Sequence, residues 1–158
     1  MKKSSTIFLQ VVIVLIGIVA LAIITWFPLT EGRAVNLDLF SIYSDPFIIF
    51  GYVVSIAFFV ALYQAFKLLG YIGQNKVFSS SSVKALRTIK YCAIILSTSI
   101  VMAILYIMMS HGDDDAAGAI AMGIVATFIS VVIATAAAVF ERTLQNAVDI
   151  KSENDLTV

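Results

Sequence analysis

The chain has 158 residues, of which 61% are hydrophobic and only 13% charged; soluble domains run nearer 45–50% apolar and about 25% charged. A soluble chain of this size could not hide so much apolar surface in its core. Ten basic residues balance ten acidic ones, so no bulk field draws the chain to nucleic acid, and direct nucleic-acid binding is not expected.

Four long stretches free of Asp, Glu, Lys and Arg settle the class: Ser4–Thr30, Pro46–Phe66, Tyr91–Gly112 and Ala116–Phe140. Each reaches the ~20 residues that a helix needs to cross about 30 Å of hydrocarbon. A spanning segment must satisfy its own backbone hydrogen bonds, which selects α-helices. The period-two alternation of a lipid-exposed barrel is not visible. The expected fold is all-α: a polytopic membrane protein, a four-transmembrane-helix antiparallel bundle in one domain spanning residues 1–158. Its helices are placed at about 6–28, 46–70, 80–110 and 115–150, with the lipid bilayer as first partner.

The first stretch opens after Met1-Lys2-Lys3 and ends near Trp26-Phe27-Pro28, an interfacial aromatic followed by a natural stop. Its lysines, apolar run and Ala20-Leu21-Ala22 imitate an export signal. The run continues through Ile23, Ile24, Trp26 and Phe27, past a usual signal core, so a retained helix is expected. The loop Leu29–Asp45 carries Glu31, Asp38 and Asp45 against the single Arg33. Pro46 suits the first turn of the second helix, where its missing N–H is not needed.

The second loop, Lys67–Lys90, carries Lys67, Lys76, Lys84, Arg87 and Lys90 and no acidic residue. Gly70 and Gly73 read as a helix C-terminus and turn. Ser79 reads as an N-cap, with Phe78 and Val83 spaced as a hydrophobic staple. From there one helix runs from about Ser80 to Ser110, roughly 45 Å, which exceeds the hydrocarbon core. The fourth helix likewise continues through Glu141–Asp149. Both extensions read as interfacial helices that steady the bundle, or as a docking surface in the cytoplasm.

Orientation follows from counting Lys and Arg. Placing both termini and the second loop inside leaves nine basic residues on the cytoplasmic side and Arg33 alone outside. Both termini are therefore expected in the cytoplasm, in a multi-pass cell-membrane protein.

The candidate chemistry is sparse. None of the four stretches holds the ionisable residue on which coupled transport depends. Ser55, Gln64, Ser97, Thr98, Ser99, Thr127, Ser130 and Thr135 read as interhelical hydrogen-bonding groups, or as a pore lining in an oligomer. His111-Gly112-Asp113-Asp114-Asp115 reads as an acidic complement to a helix dipole. With Asp38 and Asp45 it reads alternatively as an oxygen-rich cation site. Cys92, the single cysteine, reads as a small buried residue. There is no glycine-rich phosphate loop, no HExxH and no converging Ser-His-Asp set. No enzymatic activity, cofactor or resident metal is expected. Two small-xxx-small pairs, Ala119 with Gly123 and Ala134 with Ala138, mark close helix packing. They place the fourth helix at the centre of the bundle, or alternatively at a homodimer seam.

Several stretches together resemble one bacterial membrane family. They are Ala61-Leu62-Tyr63-Gln64-Ala65-Phe66-Lys67-Leu68-Leu69, Val77-Phe78-Ser79 and Val83-Lys84-Ala85-Leu86-Arg87-Thr88-Ile89-Lys90-Tyr91-Cys92. The tail from Gln145 to Val158 is the most specific part of the likeness. The family is that catalogued as domain of unknown function 2975, and the likeness covers essentially the whole chain. It implies a four-helix protein of the bacterial inner membrane and, more loosely, a gene neighbour encoding a small helix-turn-helix regulator. It implies no catalytic residue.

The tail also has a reading of its own. Asn154-Asp155-Leu156-Thr157-Val158 could add a strand to a partner's sheet edge with its carboxylate captured, or fray as a chain end. Three roles follow. The first is a non-enzymatic accessory or regulatory protein that engages a partner, such as that small regulator, through Lys84, Arg87, Lys90 and the tail. The others are a small immunity or protective protein acting through its outer loops, and a passive channel or transporter component.

Overall fold

The structure is a computed structural model that describes residues 3–30, 38–110 and 116–156. The described residues form five helices: α1 (Lys3–Thr30), α2 (Leu39–Tyr43), α3 (Pro46–Gly73), α4 (Ser80–Ser110) and α5 (Ala116–Leu156). Four of these, α1, α3, α4 and α5, are long and apolar enough to cross a membrane. Much of the loop 29–45 and all of His111–Asp115 lie outside the described residues, as do Thr157 and Val158.

Pro28 does not end the first helix as its sequence position suggests; α1 continues to Thr30 with Pro28 inside it. A proline in the last turn deprives only the carbonyl four residues back of its N–H partner. That carbonyl, of Ile24, accepts from the Tyr52 hydroxyl of α3 at 3.3 Å. The neighbouring carbonyl of Thr25 accepts from the Tyr43 hydroxyl of α2 at 3.1 Å. Two tyrosines thus supply donors where hydrocarbon offers none.

Helix α3 opens as its residues dictate. Asp45 is the N-cap, its carboxylate accepting from the N–H of Phe47 at 2.7 Å, and Pro46 fills the first helical position. Its other end corrects the reading of Gly70 and Gly73 as a turn. Both lie within the helix, and Asn75 (φ 57°) takes the left-handed position instead. The N–H groups of Asn75 and Lys76 close onto the carbonyls of Ile72 and Tyr71, the double bond of a Schellman ending. The glycines serve packing. A Cβ on Gly73 would stand 3.2 Å from Thr6 Cγ2, and one on Gly70 would stand 3.5 Å from Gln10 Nε2. Gln10 also donates to the carbonyl of Phe66 at 3.3 Å. α1 therefore lies against the last turns of α3 through two residues without side chains.

Ser79 caps α4: its Oγ accepts from the N–H of Ser82 at 3.3 Å and donates to the carbonyl of Lys76 at 2.8 Å. Ser82 is fully buried and reaches the same carbonyl at 3.2 Å. Val83 is buried beneath this cap, whereas Phe78 remains exposed.

The extensive contacts follow chain order, α1 with α3, α3 with α4 and α4 with α5. This corrects the placement of the fourth spanning helix at the centre. α3 and α4 hold the middle positions, and α5 rests chiefly on α4. The small residues of α5 are spread around its whole circumference. Ala117, Gly118, Ala119, Ala121 and Ala136 are exposed. Only one side, typified by Gly123 and Ala137, meets α4. Composition thus made a thin helix, but not one surrounded by neighbours.

Candidate functional site: the ion-paired end of α4 and α5

Among the described residues, the charged chemistry gathers where α4 and α5 extend past their uncharged stretches. α4 starts at Ser80, well before Tyr91, and α5 continues past Phe140 for four further turns. Glu141 is the first charged residue after the uncharged stretch of α5, and it faces α4. Its two oxygens accept from Arg87 Nε and Lys90 Nζ, each at 2.7 Å. Glu141 is 8% exposed. Lys90 also lies over the ring of Tyr91, 4.8 Å from its centroid, a favourable cation–π distance. The hydrogen bonds from Lys90 and Arg87 hold the Glu141 carboxyl below the usual glutamate range. The same carboxylate raises the Arg87 guanidinium above its ordinary value.

One carboxylate shared by two cations leaves the cluster with a net positive charge. The ionic bonds are charge-assisted and fix the register of α4 on α5. Arg87 and Lys90 were expected to face a partner; the structure pairs them with Glu141 instead. Lys84, one turn earlier, is exposed. In the sequence Glu141 reads only as part of a helix extension. Its signal is a lone carboxylate directly after an apolar stretch, in a chain whose loop Lys67–Lys90 carries five basic residues and no acidic one.

The tail is helical where it is described. α5 runs to Leu156, so Asn154, Asp155 and Leu156 do not form the extended strand considered from the sequence. No glycine or proline interrupts Glu141–Leu156, and Gln145 Nε2 donates to Asp149 one turn on at 2.8 Å, an i,i+4 pair that supports the helix. Thr157 and Val158 lie outside the described residues.

Beyond the ion pair, the α3–α4 turn and the last turns of α5 border an open cleft of about 530 Å³. Lys76, Phe78 and Ser79 line one wall, with Ala147, Ile150 and Lys151 opposite. Deeper in the helices, a cleft of about 390 Å³ lies between α3, α4 and α5. Its walls are apolar side chains such as Leu62, Ala93 and Ile133, with Ser130 as a polar exception.

The membrane-depth hydroxyls turn out differently from their expected interhelical role. Thr98, Thr127, Ser130 and Thr135 each donate to the carbonyl four residues back in their own helix, at 2.8–2.9 Å. Ser55 does the same to Tyr52, three residues back. Such back-bonding hides a hydroxyl without linking helices.

The expected packing residues divide. A Cβ on Gly123 would stand 2.8 Å from Ile104 Cδ1, so α4 and α5 approach most closely there. Ala134 and Ala138 are half-buried, whereas Ala119 is exposed. Cys92 is buried.

The protein family described as "Protein of unknown function (DUF2975)" matches residues 29–158. The chain is 47% identical over 163 residues to "Uncharacterized membrane protein YoaS" of Bacillus subtilis (strain 168), with the whole of both chains covered. No solved structure matches.

Proposed function

The chain belongs to the DUF2975 family of membrane proteins, and on that premise we propose that it is a non-enzymatic accessory protein of the bacterial inner membrane. Its four long helices form an antiparallel bundle with both termini in the cytoplasm, an orientation supported by nine basic residues against Arg33 alone. α4 and α5 carry on past the bilayer and together present a cytoplasmic surface to a partner protein. The observation that carries this reading is the Arg87–Glu141–Lys90 cluster. A helix extension that merely frays into solvent needs no shared carboxylate to hold it on its neighbour. This one is held in register, as a binding surface has to be.

The surface so fixed exposes Lys84 and residues 149–154 of α5. A small helix-turn-helix regulator is the partner favoured by the family likeness. Truncation after Val148 tests the reading. It removes the last turns of α5, which lie beyond the uncharged stretch Ala116–Phe140, and membrane level and thermal stability should stay close to those of the full chain. The phenotype of a deletion strain should fail to be rescued by the truncated gene. Full rescue would refute the accessory role for this surface, and a large fall in melting temperature would make the segment structural.

A further inference from the structure

We propose that the cleft between the α3–α4 turn and the last turns of α5 is a docking site for an acidic, apolar-faced segment of a water-soluble protein. This inference rests on the proposed cytoplasmic placement and adds to it the chemistry of the partner.

Position comes first. Lys90 and Glu141 stand at the ends of uncharged stretches long enough to fill the hydrocarbon, so their pair marks its inner boundary. From Lys90 back to Ser79 is about 16 Å of helix, and from Glu141 on to Ile150 about 13 Å. The headgroup layer adds only about 5–8 Å on each side of the hydrocarbon. Counted along α4 and α5, the cleft therefore lies beyond the acyl chains, on the water side of the hydrocarbon boundary.

In that position its composition is unusual. Phe78 is 59% exposed and Ile150 is 63% exposed, and both line the cleft. Lipid would excuse such side chains at membrane depth; water does not. Lys76 and Lys151 flank them, and among the described residues no carboxylate lines the cleft. The nearest one along α5, Asp149, is held by Gln145. An apolar floor between two ammonium groups complements a segment that places a Leu-like or aromatic side chain beside Asp or Glu.

The walls are also fixed before any partner arrives. The Asn75 turn and the Ser79–Ser82–Lys76 hydrogen bonds set the first wall. The Glu141 cluster sets α5 against α4 below the second. A preformed site spends little of its binding energy on ordering.

Site-specific photo-crosslinking in native membranes tests the site, with p-benzoylphenylalanine in place of Phe78, of Ile150, or of Lys84 outside the cleft. At Phe78 and Ile150 we expect one protein adduct whose crosslinked peptide, read by mass spectrometry, carries Asp or Glu beside apolar residues. The adduct should fall at least fivefold in Lys76→Glu/Lys151→Glu, at unchanged membrane level and melting temperature. Lys76→Gln/Lys151→Gln, which introduces no reversed charge, should lose an intermediate fraction. Lipid adducts alone, a second copy of the chain alone, no adduct at either position, or a yield indifferent to both charge variants would each overturn the proposal. A protein adduct at Lys84 without one in the cleft would overturn this site while leaving the accessory role standing. Silence at all three positions would remove both.

Discussion

The Tyr52 hydroxyl on α3 donates to the carbonyl of Ile24 on α1, the acceptor that Pro28 leaves without an N–H. A buried carbonyl with no donor is expensive in hydrocarbon, so the proline and the tyrosine should act as a unit. Tyr52→Phe is expected to destabilise the protein by about 0.5–1.5 kcal/mol. In a Pro28→Ala background the helix supplies its own N–H, and the same change should be nearly silent. Melting in detergent, run as a double-mutant cycle, reads the coupling. Equal losses in both backgrounds would show that the tyrosine does not serve that carbonyl.

Glu141→Gln should cost about 1–3 kcal/mol, because it leaves Arg87 and Lys90 facing each other without their shared carboxylate. The figure sits below that of a fully buried pair because Arg87 is half exposed and screened. The pH dependence has a defined sign. A carboxyl whose folded pKa is depressed contributes fully above its unfolded value, about 4.3. That contribution disappears as pH falls through the lower folded value. Wild type and variant should therefore differ in melting temperature at neutral pH and converge in acid. A gap that persists into acid would mean that the glutamate acts through its shape alone.

Gly123→Leu is expected to destabilise by about 2–3 kcal/mol or to part α4 from α5, since even a Cβ meets Ile104 at 2.8 Å. A Cβ on Gly118 of the same helix meets nothing within 4 Å, and Gly118→Leu should change stability by less than about 0.5 kcal/mol. Gly17 is a poorer control than its place in α1 suggests, because a Cβ there reaches Leu62 of α3 at 3.7 Å. Comparable melting of the Gly123 and Gly118 variants would place the close contact elsewhere.

Orientation is open to a labelling test in a Cys92→Ser background. An impermeant maleimide applied to intact cells should label a cysteine at Ser41, exposed in α2, and spare one at Ser81, exposed at the start of α4. Breaking the cells should make Ser81 reactive. The opposite pattern would invert the protein in the membrane and move the ion pair to the outer side.

The spanning helices were legible in the sequence because length and absence of charge are local properties. Asp45-Pro46 and Ser79 marked their starts for the same reason, a side chain capping its own turn. What stayed hidden was relational. Gly73 looks like a helix stop until Thr6 is known to lie across it, and Pro28 looks like a terminus until Tyr52 arrives from α3. The alanines of α5 could be counted, but the side of the helix that meets α4 could not. Glu141 was visible as a charge, and its two partners on α4 as charges, yet nothing in their spacing announced the pairing across more than fifty residues.

Neighbours in space that are neighbours in sequence have a consequence for biogenesis. Each long helix packs on its neighbours in chain order, so no segment has to wait in the bilayer for a mate far along the sequence. α3 can settle on α1 while α4 is still being synthesised. The last bond to close is then the one between Glu141 and the two cations of α4, since Glu141 emerges only after the whole of the final span. The carboxylate acts as a latch on α4, and until it closes, Arg87 and Lys90 remain two unneutralised charges beside the uncharged stretch of that helix.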